Sequence, residues 1–366
     1  MHDKSKLPAV IHFIYSLGRG GAETIVVRTI KELPEYRHIV VTLLPDNHFG
    51  NELECDRLIC LNMTGLFQLP AMFRRFGSIV KEISPALVHT HLFWPTFIAR
   101  FAVPATVPLV TTIHAFIASS VEYRHWYIRF LDRFSYKRRS SFIIVVARGA
   151  LEEYFDFLGR PPVKARVLYT FVDVLKFKGR PFKPHNGELR LISVGALRIQ
   201  KNYPYIIKAM ALLKDLPISL DIYGSGSLKE SLQKQIDESG ANVRLMGEVR
   251  NFEECLIEYD LYVMSSTFEG FSLSVLEAMA MEMPLLLSDI SSFREQCGDL
   301  AWYFSLDDPA SAADRLQAIM KDNREVLVER GKLGRAHVMA HFTLQQHIHQ
   351  LRNIYIEVTA RAARPT

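Results

Sequence analysis

The segment Glu269-Gly270-Phe271-Ser272-Leu273-Ser274-Val275-Leu276-Glu277, running on into Ala278-Met279-Ala280-Met281, holds the richest set of groups able to do chemistry. Gly270 marks a loop, and a helix is expected after it. The amides of a first helical turn have no intrahelical acceptor and therefore offer a site to an anion. Two carboxylates flank that site, one in the loop and one in the helix. One could accept ribose hydroxyls while the other faces a second polar group of the same ligand. The same residues also fit a purely structural pattern, because Ser274-x-x-Glu277 has the form of a capping box. Two glycine turns add weaker signals. Gly18-Arg19-Gly20-Gly21-Ala22-Glu23 stands between a strand and a helix, where glycine lets the backbone approach a ligand and the helix N-terminus favours a phosphate. It is not the dinucleotide fingerprint, since Glu23 occupies the third glycine position. Gly224-Ser225-Gly226 follows another expected strand.

Groups of this kind need elements that present them. Short apolar runs rich in β-branched residues recur at 9–15, 38–44, 86–90, 108–113, 142–146, 189–194, 217–223, 242–246, 260–264 and 284–288. Most are separated by helix-like stretches such as 22–33, 69–83, 203–214, 227–238 and 272–282. That alternation predicts α/β architecture with parallel, doubly wound sheets covered by helices. The Pro/Gly/polar stretch 178–188 interrupts it, and the pattern restarts at Leu189. Two domains are therefore expected, 1–182 and 183–344, with a last helix at about 345–366 packing back on the first. Two such sheets facing each other would place the ligand site at the carboxyl ends of strands, in the cleft between the domains.

Composition narrows the class. The chain has 366 residues, 49% hydrophobic and 23% charged, which excludes a disordered tail, a fibre or a coiled coil. A formal net charge of +5 suits anionic ligands or lipid headgroups and is too weak to indicate nucleic acid. Cys55, Cys60, Cys255 and Cys297 form no close pair of pairs, so neither a disulfide framework nor a zinc site is expected, and a reducing, cytoplasmic compartment is. No window approaches 18 uninterrupted apolar residues, so no bilayer-spanning helix is expected.

Several motifs in order make a resemblance: the glycine turn at 18–23, SPALVHTHL at 84–92, TTIHAF at 111–116, VGALRIQKN at 194–202, YGSG at 223–226, MGEV at 246–249, EGFSLSVLEAMA at 269–280 and FTLQQHIHQL at 342–351. Together they resemble the retaining glycosyltransferases of family 4, the E-x7-E enzymes of the two-Rossmann-domain GT-B fold. The resemblance implies a donor site in which Glu277 holds the ribose of a nucleotide sugar and Glu269 stands close to the donor sugar. The backbone of Phe271, Ser272 and Leu273 would contact the diphosphate, with Ser272 in place of the usual glycine. Lys201 would neutralise the leaving group, a task for which a primary ammonium is suited by Coulomb attraction. Arg198 would replace the arginine that often stands where this chain has Ala196. Gly20, Gly21 and Gly224 complete the implied donor-binding set.

In the first domain, His114 matches a histidine near the transferring sugar and the acceptor. His89 and His91 alternate on one strand, which is not expected to let both serve a site, and His91 is taken as the acceptor-side candidate. Ala147 and Thr170-Phe171 depart from the family's usual serine and Asn-Gly. The implied partners are a nucleotide-sugar donor and a glycan or lipid-linked acceptor, in cell-surface polysaccharide synthesis, with no cofactor. His337 and His341 lie four apart but lack a carboxylate or cysteine to complete a metal site, and the chain has no D-x-D pair to hold a divalent ion on a diphosphate. Metal-independent transfer follows. A non-catalytic nucleotide-sugar-binding protein and a GT-B epimerase or hydrolase are the alternatives. Residues 66–83 and 122–139 mix aromatics with Lys and Arg, the composition of helices that lie in a headgroup layer, so an anionic membrane surface is a further expected partner, placing the chain on the inner face of the cell membrane.

Overall fold

The computed structural model describes residues 6–362 except 19, 115, 118–121, 160–163, 180–186, 250 and 323. Arg19 of the glycine turn and the boundary expected at 182/183 thus lie outside the described residues. Packing divides the chain into one unit of Met1–Tyr169 with Gln345–Thr366 and a second of Thr170–Leu344.

The first unit is built on seven strands: β1 (Ala9–Ile14), β2 (Arg37–Thr42), β3 (Arg57–Cys60), β4 (Leu87–His91), β5 (Leu109–Ile113), β6 (Phe142–Val145) and β7 (Ala165–Val167). They lie in the order β3-β2-β1-β4-β5-β6-β7, and every pairing is parallel. The second unit has β8 (Leu189–Val194), β9 (Ile218–Tyr223), β10 (Val243–Gly247), β11 (Leu261–Met264), β12 (Leu285–Ser288) and β13 (Trp302–Phe304), ordered β10-β9-β8-β11-β12-β13 and again all parallel. Both sheets reverse direction once, between β1 and β4 and between β8 and β11. Such a switch point opens a crevice at the carboxyl ends of the strands.

The central strands are buried on both faces, which is why they read as continuous apolar runs. Helices close the faces with apolar stripes of helical period. Leu69–Ile83 buries Met72, Phe76 and Val80, four residues apart, and Phe76 stacks on Phe13 of β1. Helix ends follow local chemistry. Asp308 caps the helix Pro309–Lys321 by accepting from the Ala310 amide at 2.9 Å, and Arg148–Leu158 stops where Gly159 turns left-handed. All ten expected strands are present. Three more, β3, β7 and β13, were not expected; each lies at a sheet edge and is only partly buried. No helix among the described residues is long and apolar enough to cross a membrane.

Candidate active site

In the second unit, the residues singled out by the sequence converge on the carboxyl ends of β8, β9 and β11, beside the switch point. The turn Ile199–Lys201 follows β8 and ends at Asn202, whose left-handed backbone (φ 49°) starts the next helix. The Ser265 hydroxyl, just beyond β11, donates to the carbonyls of Lys201 and Asn202 at 3.1 and 3.0 Å and pins this turn. Lys201 Nζ then donates to Glu269 Oε1 at 2.7 Å, and Ser266 Oγ donates to the same oxygen at 2.7 Å. Both side chains of the pair are 14% exposed, so neither is sealed from a ligand. An ammonium has three donors; apart from Glu269 its other near partner is the weakly accepting Met264 sulfur at 3.8 Å.

The helix Leu273–Ala280 begins where expected, with Ser272 as its N-cap residue in extended conformation. The capping-box reading fails, because Ser274 is already helical and its hydroxyl lies 2.9 Å from the Tyr262 hydroxyl. Ser272 departs from its expected role in one respect. Its amide donates to Gln296 Oε1 at 3.0 Å, and Gln296 Nε2 returns a bond to the Ser272 carbonyl at 2.8 Å, so this amide is committed within the protein. Phe271 is buried and meets Phe342 edge-on. Glu277 is half-buried one turn into the helix. Glu269 and Glu277 both act on buried Tyr262, whose phenol is held protonated far above its usual range by burial first and by these charges in addition.

The glycines have physical reasons of their own. Gly224 takes φ 147°, and a Cβ there would stand 2.0 Å from the Gly195 carbonyl oxygen, so this residue lets two loops touch backbone to backbone. Gly195 was not expected to matter, yet a Cβ on it would meet Lys201 Cε at 2.8 Å; its bareness makes room for the lysine stem. Arg198 is exposed at the start of the Lys201 turn. Ser266, Tyr262 and Gln296 were also missed, since nothing in their spacing marks them.

In the first unit, Gly20 and Gly21 are exposed at the start of the helix Gly21–Lys31, with Gly20 as its N-cap residue. His114 follows β5, and its Nε2 lies 3.0 Å from His91 Nδ1. Its Nδ1 is buried without a hydrogen-bond partner among the described residues. His89 and His91 do not exclude each other as expected: their ring centroids are 4.2 Å apart, and both line one cavity with His12, Thr112, His114 and His347. Burial holds these rings neutral, pulling His89 and His114 down to about 3 and His347 to about 4. His337 and His341 have ring centroids 4.9 Å apart, and Phe342 packs against both.

A parallel switch-point site with a lysine-carboxylate pair and an adjacent helix N-terminus is an arrangement whose chemistry suits an anionic ligand. Comparison with known proteins gives the class. Residues 19–175 match the family described as Glycosyltransferase Family 4, and residues 177–335 match that described as Glycosyl transferases group 1. The chain belongs to the family 4 glycosyltransferases, and its two Rossmann-like units are those of the GT-B fold. It is a glycosyltransferase. Among relatives, it is 26% identical over 333 residues to the N-acetylgalactosamine-N,N'-diacetylbacillosaminyl-diphospho-undecaprenol 4-alpha-N-acetylgalactosaminyltransferase of Campylobacter jejuni, covering 85% of this chain and 90% of that one. It is 22% identical to the N-acetyl-alpha-D-glucosaminyl L-malate synthase of Bacillus anthracis, over 82% of this chain and 83% of that one. Among solved structures, Anabaena HepE in complex with UDP-glucose superposes with a TM-score of 0.82 at 16% identity, covering 96% of this chain and all of that one.

Proposed function

We propose that the chain is a retaining enzyme moving a sugar from a nucleoside-diphosphate donor to a hydroxyl of a lipid-linked or polysaccharide acceptor in cell-surface glycan synthesis. The observation that carries this reading is the Lys201–Glu269 pair at the carboxyl ends of β8 and β11, accessible and with donor capacity to spare. Lys201 neutralises the leaving diphosphate, helped by the N-terminal end of Leu273–Ala280, while Glu277 accepts the ribose hydroxyls and Glu269 stands at the donor sugar. The Ser272 amide is excluded from that work by Gln296. Catalysis is then leaving-group stabilisation and positioning. The named substrate of the Campylobacter relative, a diphospho-undecaprenol, supports a lipid-linked acceptor, and HepE's UDP-glucose supports a UDP-sugar donor. His114 keeps Nδ1 for a hydroxyl, Nε2 being taken by His91. The test is release of free nucleoside diphosphate on adding acceptor. Release at the same rate without acceptor would make the chain a hydrolase and overturn the reading.

The donor site needs no divalent ion, a reading that rests on the missing D-x-D pair and on Lys201. Donor affinity should be unchanged by EDTA; loss of binding restored by manganese would refute it.

The chain works on the inner membrane face through the helix Trp126–Arg138. Trp126, Phe130 and Phe134 are 77, 60 and 51% exposed and recur every fourth residue, so they share one face, beside exposed Lys137 and Arg138. The segment 66–83 supports this less, because Met72 and Phe76 point inward and its exposed apolar residues are Leu66 and Phe67. Arg139 is no lipid contact: its guanidinium donates to the Val103 and Val107 carbonyls. Sedimentation with anionic vesicles, released by salt and weakened by Lys137→Glu with Arg138→Glu, is the expected result. Equal recovery with neutral and anionic vesicles would reject it.

A further inference from the structure

We propose that His12, His89 and His91 form a site for a borderline transition-metal ion of the Zn2+ class inside the first unit. Parallel pairing sets His12 on β1 directly against His89 on β4, and His91, two residues on, points to the same face. One ligating nitrogen from each ring falls within 4.8 Å of the others, and all three residues are buried. Bonds of about 2.1 Å put tetrahedral ligand atoms about 3.4 Å apart, so the rings draw together slightly on binding.

The nitrogens of two rings are unspent. His38 Nε2 lies 2.8 Å from the Leu33 carbonyl, which only accepts, so that nitrogen carries the proton. A neutral His38 therefore presents a bare Nδ1, and His12 Nε2 donates to it at 3.1 Å. His12 Nδ1 is left as a lone pair, buried with no hydrogen-bond partner. His91 Nε2 is buried without a partner too, while its Nδ1 meets His114. His89 is held by the Tyr355 and Thr112 hydroxyls, each at 2.7 Å, so its ring must turn and give up one of these bonds to ligate, the other remaining as its anchor. An isolated buried orphan nitrogen is costly; with the third, His114 Nδ1, assigned above to an acceptor hydroxyl, the two that remain in this cavity call for a common occupant.

The chemistry of the lining selects the occupant. Each candidate ligand is anchored through its other nitrogen, the arrangement that orients a metal-bound imidazole. Among the described residues no carboxylate or thiolate lines the cavity, which argues against Mg2+ and Ca2+ and favours ions that accept imidazole alone. Its volume of about 20 Å³ has room for one water, which would fill the fourth position. The site is distinct from the donor groups of the second unit.

The experiment uses the full chain, stripped with EDTA, desalted and titrated with Co2+ as a spectroscopic probe. One equivalent should bind with the intense visible bands of a tetrahedral site, and Zn2+ should displace it. The bands should be lost in His12→Gln and in His91→Gln, and kept when His337 and His341 are both replaced by Ala. Because a buried substitution can unfold the unit, X-ray absorption on the parent gives an independent reading: a nitrogen-rich shell with three imidazoles is expected. Absence of stoichiometric cobalt binding, bands that survive His91→Gln in a folded protein, or bands lost with His337 and His341 would overturn the proposal. So would a cobalt shell of oxygen alone. A cavity that holds only water would show itself as no cobalt binding.

Discussion

Two ion pairs of the same chemistry sit in the two units and behave oppositely. Arg100 and Asp132 are 1 and 2% exposed and are held by neighbours: Ser135 and Tyr154 meet the guanidinium, the Tyr123 hydroxyl donates to the carboxylate at 2.7 Å, and Arg100 Nε alone is left without a hydrogen-bond partner among the described residues. Lys201 and Glu269 are 14% exposed, with donors left on the ammonium. The first pair joins the helix Phe93–Ala102 to the helix Trp126–Arg138 and is shut away from solvent. The second is held by loops that follow strands and can take a ligand. Proximity of opposite charges is thus a poor marker of function; access separates the two.

The largest expected effect breaks the buried pair. Asp132→Ala leaves a desolvated guanidinium alone and should cost about 3–5 kcal/mol of folding stability, read by denaturant unfolding. Replacing both partners, Arg100→Met with Asp132→Leu, should recover most of that loss, because two charges no longer need burial. A double variant as unstable as Asp132→Ala would show that the surrounding tyrosines, not the pair, hold these helices.

Breaking the accessible pair should do the reverse. Lys201→Ala should lower turnover about 10²–10³-fold, the range for removing one preorganised donor from a developing anion, with the unfolding midpoint nearly unchanged. A stability loss as large as that of Asp132→Ala, with turnover retained, would place Lys201 among structural ions and remove the contrast.

Acid sharpens the difference further, since the buried histidines of the first unit are held neutral. His347 donates through Nδ1 to the Tyr169 carbonyl at 2.8 Å, and burial lowers its pKa from 6.5 to about 4. The unfolded chain takes up this proton near pH 6.5 and the folded chain only near pH 4. Stability is therefore intact above pH 6.5 and falls as the pH drops through that interval, by up to about 3 kcal/mol for this group. His347→Gln should flatten the fall between pH 6.5 and 4 in metal-free buffer. An unaltered slope would assign acid sensitivity to other groups.

How much of this was legible in the sequence follows from how each part is built. Central strands were readable because burial on both faces demands unbroken apolar runs. The strands β3, β7 and β13 were not, because an edge strand is half exposed and carries residues such as Arg57, Arg166 and Tyr303. The groups proposed for the donor stood out because Glu269 to Glu277 is one contiguous loop and helix start. The histidine cluster was not: His12, His38, His89, His91, His114 and His347 are scattered over most of the chain, and only the order β2-β1-β4-β5 with the last helix brings them together. His89 and His91 lie two residues apart and so share one face of β4 by the alternation itself; setting them against each other misapplied that period.

The smallest expected effect tests whether Glu277 belongs with the accessible pair. With Ser274 bonded to Tyr262 and Ser272 the N-cap residue, Glu277 lies two residues beyond the N3 position of a capping box, and its half-buried carboxylate stands one turn inside the helix, near enough to act on Tyr262. Glu277→Gln keeps the shape and one acceptor oxygen but gives up the charge. Hydrogen bonds to a charged group are worth about 1.5–3 kcal/mol, and a neutral amide retains part of that, so donor affinity should fall about tenfold. Stability should move by under about 1 kcal/mol, since no buried charge is left unpaired. Calorimetric titration with UDP and its sugars, beside thermal unfolding, measures both. Unchanged affinity with a large fall in melting temperature would make Glu277 a structural acid and leave Lys201 and Glu269 as the only members of the accessible set.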